Sequence, residues 1–127
     1  MSMGNFRVPM EIGMVSGGRF RQIDALVDTG ATYTCVPREL LDQLGVEAEE
    51  EWPFILADGR EVSYSIASVR VRINHRSRTT VAVFAAPQSE PLLGAVTLEE
   101  FGLAVDPVQR RLIPVPGLQK AAPSLVA

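Results

Sequence analysis

The chain is poor in the residues that mark metal centres, disulfide frameworks and membrane spans. Among its 127 residues it has one cysteine, Cys35, and one histidine, His75. This excludes an intrachain disulfide and a zinc site built from the usual nitrogen and sulfur ligands. The longest uninterrupted apolar run, residues 81–86, is far shorter than the ~20 residues of a membrane-spanning helix. We therefore expect no metal site and no membrane partner.

The chain also lacks a strong excess of either charge. Twelve basic and fifteen acidic residues give a net charge of -3, which offers no electrostatic reason to expect nucleic acid as a partner. A local group of arginines is interpreted as a solvated strand face opposite the acidic residues 47–51. These are Arg70, Arg72, Arg76 and Arg78. The lone cysteine and the absence of an apolar signal core predict a cytoplasmic location.

Short strands separated by turn signals dominate the pattern. Strand-like stretches occupy residues 8–15, 19–28, 52–57, 60–66, 69–73, 79–84, 103–105 and 111–115. Gly17-Gly18 and Asp58-Gly59 are typical of hairpin turns between them. We expect one mainly β domain over residues 1–115, because this length suits a single core. Residues 116–127 are expected to form a flexible tail.

Two short helices interrupt the strands. Pro37 and Gly45 bracket the first, over residues 38–44, since proline favours the first helical position and glycine the position past the end. Thr97 and Glu100 have the spacing of a capping box, which predicts that a second, one-turn helix opens at Thr97.

Asp28-Thr29-Gly30 is the first candidate for chemistry. It places a carboxylate at the end of a largely apolar strand, followed by a glycine that tolerates unusual backbone angles. Such a carboxylate can serve acid–base catalysis. The alternative interpretation is a turn aspartate that hydrogen-bonds its own backbone.

The surroundings of this tripeptide resemble a known family. Ala25-Leu26-Val27-Asp28-Thr29-Gly30-Ala31-Thr32-Tyr33-Thr34 resembles the active-site segment of the retroviral-type (retropepsin-like) aspartic proteases. Leu92-Leu93-Gly94 resembles the family's second signature, and the hairpin at residues 52–66 lies where the family has its flap. The resemblance spans about residues 6–115. It implies an all-β fold, a retropepsin-like β-barrel or closed sheet with a flap hairpin.

The resemblance also implies roles for individual residues. Asp28 would be the catalytic carboxylate, and Thr29 would hydrogen-bond across a dimer. Gly30 would let the backbone approach the carboxylate, and Ala31 would lie beside the substrate. The flap tip over the substrate would comprise Ala57, Asp58 and Gly59.

Peptide hydrolysis by this chemistry needs two carboxylates that share one proton. The nearest acid in sequence, Asp24, lies roughly 13 Å along the strand from Asp28, which is too far to share a proton. The remaining aspartates considered, Asp42, Asp58 and Asp106, lack a matching loop. We therefore expect the second carboxylate to be Asp28 of an identical chain, in a homodimer that cleaves peptides or proteins. No cofactor is implied, because the nucleophile would be water.

Three functions other than an aspartic peptidase are considered. A non-catalytic retropepsin-like module could dimerise or bind peptides without cleaving them. The loose fit of Asp28-x-Gly30-x-Thr32 to a phosphate loop of actin-like ATPases is disfavoured, since that fold needs two lobes. Cys35 with His75 as its base is disfavoured against a buried structural cysteine and a surface histidine.

Overall fold

Antiparallel hairpins make up most of the chain over residues 5–119, which the computed structural model describes. The strands in this range are β1 Arg7–Gly13, β2 Phe20–Val27, β3 Thr34–Pro37, β4 Glu50–Ile55, β5 Glu61–Ile73, β6 Arg76–Ala85, β7 Leu92–Leu93, β8 Leu103–Asp106 and β9 Arg111–Pro114. The helices are α1 Arg38–Leu44 and α2 Ala95–Glu100. The all-β class with two short helices is confirmed. Of the expected tail, residues 116–119 are exposed and irregular, and residues 120–127 lie outside the described range.

The main sheet closes on itself. Its strand order is β1-β2-β7-β3-β6-β5-β4, and β1 pairs a second time with β5, where Ile12 lies opposite Val71. Strand β4 lies beyond the point of closure and pairs only with β5 among the described residues, while β8 and β9 form a separate two-stranded sheet. The expectation of a closed sheet is thus confirmed.

The core lies inside this closed sheet because the strands alternate apolar and polar residues. Along β5, Val69, Val71 and Ile73 are buried, whereas Arg70 and Arg72 between them are half-buried on the other face. The prediction of separate strands at 60–66 and 69–73 is wrong. Strand β5 runs unbroken through both stretches, because its pairing with β6 continues from Ile66–Val83 to Ile73–Arg76.

The two helices begin in different ways. Helix α1 runs from Arg38 to Leu44 between Pro37 and Gly45, as predicted, and the φ of +85° at Gly45 lets the next amide, Val46 N–H, donate to the Leu41 carbonyl. Helix α2 begins at Ala95 after Gly94, so the prediction that it opens at Thr97 is wrong. Thr97 is fully buried inside the helix and makes no capping hydrogen bond.

Within residues 5–119, no helix has the length and apolar character needed to cross a membrane.

Candidate active site

Asp28 directly follows β2 at the point where that strand meets β7. Leu26 and Val27 pair in parallel with Leu92 and Leu93, and the Asp28 N–H then donates to the Leu93 carbonyl at 3.1 Å. The Asp28 side chain is half-buried. A backbone fixed in this way gives the carboxylate a defined position, which site chemistry requires.

The loop after Asp28 folds around its carboxylate. Asp28 Oδ1 accepts the Gly30 N–H at 2.9 Å, and the Asp28 carbonyl accepts the Ala31 N–H at 3.1 Å. A Cβ on residue 30 would lie 3.2 Å from Oδ1, so glycine leaves room for the carboxylate. Asp28 therefore makes the turn hydrogen bond of the alternative interpretation, while its role in acid–base catalysis stays a prediction.

The first turn of α2 clamps the far side of this loop. The N–H groups of Ala95 and Val96 donate to the carbonyls of Ala31 and Thr32, each at 2.9 Å. These amides have no partner within the helix, because the first helical amides never do. Leu92, Leu93 and Gly94, the second motif of the sequence, thus lie directly against the Asp28 loop.

A cavity of about 510 Å³ lies between the Asp28 loop and the β4–β5 hairpin. Its lining comprises Asp28, Gly30, Ala31, Thr32, Tyr33, Cys35, Phe54, Ile55, Leu56, Ala57, Tyr64 and Val83. Asp28 is the one acidic side chain of this lining. Of the residues expected in the flap, Ala57 lines the cavity, whereas Asp58 and Gly59 form the hairpin tip outside the lining.

The hairpin tip is closed by a charged pair. The Leu56 N–H donates to the Arg60 carbonyl at 2.8 Å, and Gly59 adopts a φ of +87° that favours glycine. The Asp58 carboxylate accepts the Arg60 backbone N–H at 3.0 Å and the Arg60 Nε–H at 2.8 Å. These hydrogen bonds lower the pKa of Asp58 below its ordinary value.

Four aromatic residues connect the hairpin to the Asp28 loop, and local sequence patterns did not predict this contact. The Tyr33 ring lies 5.7 Å from Trp52 and 6.2 Å from Phe54, and Phe54 lies 5.9 Å from Tyr64. The residues come from three separate segments, so no local periodicity links them. One local signal was available: Tyr33 and Cys35 alternate with the buried Thr34 and therefore share the face that lines the cavity.

Cys35 and His75 do not form a nucleophile–base pair. Cys35 lies opposite Val83 near the end of β6, whereas His75 precedes the first residue of that strand. Because Val83 lies eight residues after His75, Cys35 and His75 are about 26 Å apart along the direction of β6. Burial raises the pKa of the Cys35 thiol, and the nearby charge of Asp28 raises it further. Across residues 5–119, no group of three His, Cys, Asp or Glu side chains is placed to hold a metal ion.

An apolar groove of about 600 Å³ lies on the other side of the Asp28 loop. Thr29 lines this groove, although its neighbours Asp28 and Gly30 line the cavity under the hairpin. Most of the remaining lining comes from α2, β8 and the residues after β9, among them Leu98, Leu103, Val105, Val115 and Leu118. The loop therefore separates two concave surfaces, one under the hairpin and one open to the side.

The arginines of the expected solvated face have partners elsewhere. Arg72 pairs with Glu11 at 2.9 Å and stacks on Phe20, while Arg76 and Arg78 donate to carbonyls at the end of α2. The expectation that this face lies opposite the acidic residues 47–51 is wrong for these three, because β1 and α2 cover the strands there.

The closed sheet, the Asp-Thr-Gly loop and the overlying hairpin together define a retropepsin-like domain. Residues 15–100 match the family described as "gag-polyprotein putative aspartyl protease". The match covers more than half of the chain and includes both motifs and the hairpin, and the chain belongs to this family. Among curated proteins, none matches the chain in sequence.

Solved structures of retroviral proteases share the fold. The solution structure of the simian foamy virus (mac) protease is 19% identical, with a TM-score of 0.52, and the match covers 74% of this chain and 94% of that protein. The EIAV protease, solved in complex with an inhibitor, is 18% identical, with a TM-score of 0.58, and the match covers 77% of this chain and 88% of that protein. At these identities the likeness establishes the fold.

Proposed function

We propose that the chain is an aspartic endopeptidase that hydrolyses peptide bonds as a homodimer. The observation that carries this proposal is the position of Asp28. Its half-buried carboxylate lies on a loop clamped by β7 and α2, at the floor of a cavity roofed by the hairpin residues Leu56 and Ala57. Membership of the aspartyl protease family gives this arrangement a reaction class.

The reaction needs a second carboxylate, which the cavity of one chain does not supply among its described lining residues. In the proposed dimer, Asp28 from each subunit shares one proton with the other. The ionised carboxylate removes a proton from water as the water oxygen bonds to the peptide carbonyl carbon. The protonated carboxyl donates to the carbonyl oxygen, which gives a neutral tetrahedral diol. Breaking the C–N bond then requires a proton on the leaving nitrogen and loss of one from the diol, and this restores the shared proton.

The groove beside Thr29 supports the choice of a second copy as the partner. It begins one residue from Asp28 and is lined mainly by apolar side chains, which water covers poorly. A copy seated on this groove around a two-fold axis would bring the two Asp28 loops together. Thr29 would then lie at the contact between them, as the resemblance implies.

The cavity supports a peptide as the substrate. Its walls combine aromatic and aliphatic side chains, including Tyr33, Phe54 and Val83, with the carboxylate at one end. Ala57 in the roof and Ala31 in the floor leave space for an extended backbone. Residues 1–115 form the proposed catalytic domain. The half-buried free thiol of Cys35 is compatible with the proposed cytoplasmic location.

The decisive experiment compares Asp28→Asn with Asp24→Asn. Asp24 is an exposed carboxylate on β2, the strand that leads into the loop, so its substitution controls for the loss of one negative charge. Cleavage of a quenched peptide library is measured between pH 3 and 7, at concentrations where the protein is dimeric. We expect Asp24→Asn to remain active and Asp28→Asn to be inactive with an unchanged circular dichroism spectrum. Cleavage by purified Asp28→Asn would refute the mechanism.

The non-catalytic alternative has a separate readout. A statine-type analogue mimics the tetrahedral diol, and the single tryptophan, Trp52, contacts Tyr33 in the cavity wall. Binding of the analogue should therefore change the Trp52 emission. Peptide binding without cleavage, and without preference for the analogue over a matched peptide, would favour the binding module.

A further inference from the structure

A continuous row of hydroxyl groups crosses the interior behind the Asp28 loop. Thr34 on β3, Thr80 on β6 and Thr97 on α2 are all buried, with 0%, 3% and 0% of their surfaces exposed. Thr97 Oγ1 lies 2.7 Å from Thr34 Oγ1 and 2.9 Å from Thr80 Oγ1. Thr80 Oγ1 lies 2.6 Å from Oε1 of Glu100, a carboxylate at the protein surface. We call these four residues the threonine relay.

The hydrogen bonds of the threonine relay all run in one donor-to-acceptor direction. An ionised carboxylate only accepts hydrogen bonds, so the single O–H of Thr80 must point at Glu100. Thr80 can then only accept from Thr97, which for the same reason can only accept from Thr34. The Thr34 oxygen remains free to accept, and it receives the Gly94 N–H at 3.1 Å. Each hydroxyl therefore donates once and accepts once, and every bond points toward Glu100.

The inner end of the relay lies at the clamp on the Asp28 loop. Gly94 stands between Leu93, whose carbonyl accepts the Asp28 N–H, and Ala95, whose N–H donates to the Ala31 carbonyl. The Gly94 amide itself is buried and points to Thr34. A shift of Gly94 would therefore move both contacts that position the loop.

The outer end is held against β6 by two arginines. Arg76 donates to the Phe101 carbonyl at 2.8 Å, and Arg78 donates to the Glu100 carbonyl at 3.3 Å. Both positive side chains thus satisfy carbonyls at the C-terminal end of α2, where the helix is electronegative. They fix the backbone of Glu100 and so keep its carboxylate within reach of Thr80.

We propose that Glu100 positions the Asp28 loop through Thr80, Thr97 and Thr34. The proposal deepens the proposed function and rests on it for its effect on catalysis. Glu100 and the threonines are positioning residues, since none of the four lines the cavity. The carboxylate orders all three hydroxyls, because hydrogen bonds in such a chain polarise one another and weaken together when the terminal acceptor is lost.

The first test compares Thr97→Val with Thr97→Ser. Valine keeps the shape but breaks the relay at its centre, whereas serine keeps the hydroxyl. We expect Thr97→Val to lower kcat about tenfold with little change in KM, as loss of one hydrogen bond that orients a reacting group would do. Thr97→Ser should restore most of the rate. Equal rates for the two variants would overturn the proposal.

The second test uses amide hydrogen exchange and does not depend on peptidase activity. Glu100→Ala removes the terminal acceptor, and Glu47→Ala removes an exposed carboxylate outside the relay. We expect Glu100→Ala to speed exchange at Gly94 and Asp28 about tenfold relative to Ile12 in the core of β1. Glu47→Ala should change none of the three. Unchanged exchange, or equal acceleration at all three amides, would overturn the relay.

The two readouts separate the proposals. If the wild-type chain cleaves no peptide, the proposed function fails while exchange at Gly94 and Asp28 still decides the relay. If the chain is an active peptidase and these amides do not respond to Glu100→Ala, the relay fails and the proposed function stands.

Discussion

Gly94 lies so close to Tyr33 that a Cβ at position 94 would come within 2.5 Å of the Tyr33 carbonyl carbon. The nearest atoms also include the Tyr33 oxygen and the Thr34 nitrogen, all of them backbone atoms that cannot rotate away. The glycine of the Leu-Leu-Gly motif therefore allows β7 and α2 to pack directly on the start of β3. Glycine is needed here because the backbone at residue 94 lies against the backbone at Tyr33. It is not needed for its conformation, since any residue can adopt the φ of -91°.

Substituting Gly94 with alanine should strongly destabilise the protein. We expect a loss of about 3 kcal/mol or more in the free energy of unfolding, because overpacking against backbone forces strands apart. Urea unfolding followed by Trp52 fluorescence measures it. Gly117→Ala is the matched control, since a Cβ there meets no atom within 4 Å. It should stay within about 0.5 kcal/mol of wild type. Similar losses in both variants would contradict the packing role.

Asp58 should make the hairpin tip sensitive to acid. Its folded-state pKa is lowered by the hydrogen bonds from Arg60, so the stabilisation is present above the ordinary aspartate pKa of about 4. It is lost as the pH falls through the lowered value. At pH values below the lowered pKa of Asp58, we expect the Arg60 amide hydrogen to exchange faster than the intrinsic pH dependence of amide exchange predicts. In Asp58→Asn the extra pH dependence should vanish, and its persistence would show that another group is responsible.

Cys35 should react slowly in the folded protein. Burial and then the charge of Asp28 raise its pKa, so the thiolate that attacks an alkylating reagent is scarce at neutral pH. Iodoacetamide should therefore modify the folded chain more slowly than the urea-unfolded chain. Asp28→Asn removes the charge and should speed modification of the folded protein only. An identical rate in folded wild type and folded Asp28→Asn would contradict the placement of the two side chains.

The groove beside Thr29 should govern dimer formation. Val115 lines this groove and is 39% exposed, whereas Val108, in the β8–β9 turn, is 83% exposed and outside the groove. Val115→Glu would bury a charge in the proposed interface and should weaken the dimer at least about tenfold. Val108→Glu adds the same charge and should leave the dimer unchanged. Sedimentation over a concentration series measures both, and equal dimer affinities would place the interface elsewhere.

Local signals predicted the parts of the fold that are built locally. Helix α1 lies between Pro37 and Gly45 as expected, because backbone restrictions at those two positions act without help from the rest of the chain. The Asp58-Gly59 turn was predicted for the same reason. Asp28 is a candidate from its position after an apolar strand, whereas Leu93 and Gly94 are indicated only by the family resemblance, and the structure brings the two motifs into contact.

Tertiary contacts explain what the sequence could not show. Thr97 and Glu100 have capping-box spacing, yet carbonyls of Ala31 and Thr32 already satisfy the first amides of α2, so the helix opens two residues earlier without a side-chain cap. Thr97 is then free to join the buried relay. The aromatic cluster around Tyr33 was missed because its members meet only when the hairpin folds over the loop.

The contact between Thr34 and Gly94 has a consequence for the order of events during synthesis. The two residues are 60 positions apart, so the loop that holds Asp28 lacks its clamp until nearly the whole sheet has been made. Contacts this distant form late, after the entropy of a long loop has been overcome. While Leu92-Leu93-Gly94 is still inside the ribosome, Asp28 has already emerged, but its loop is not yet held in place. For the peptidase proposed above, activity would then arise only after translation has passed α2.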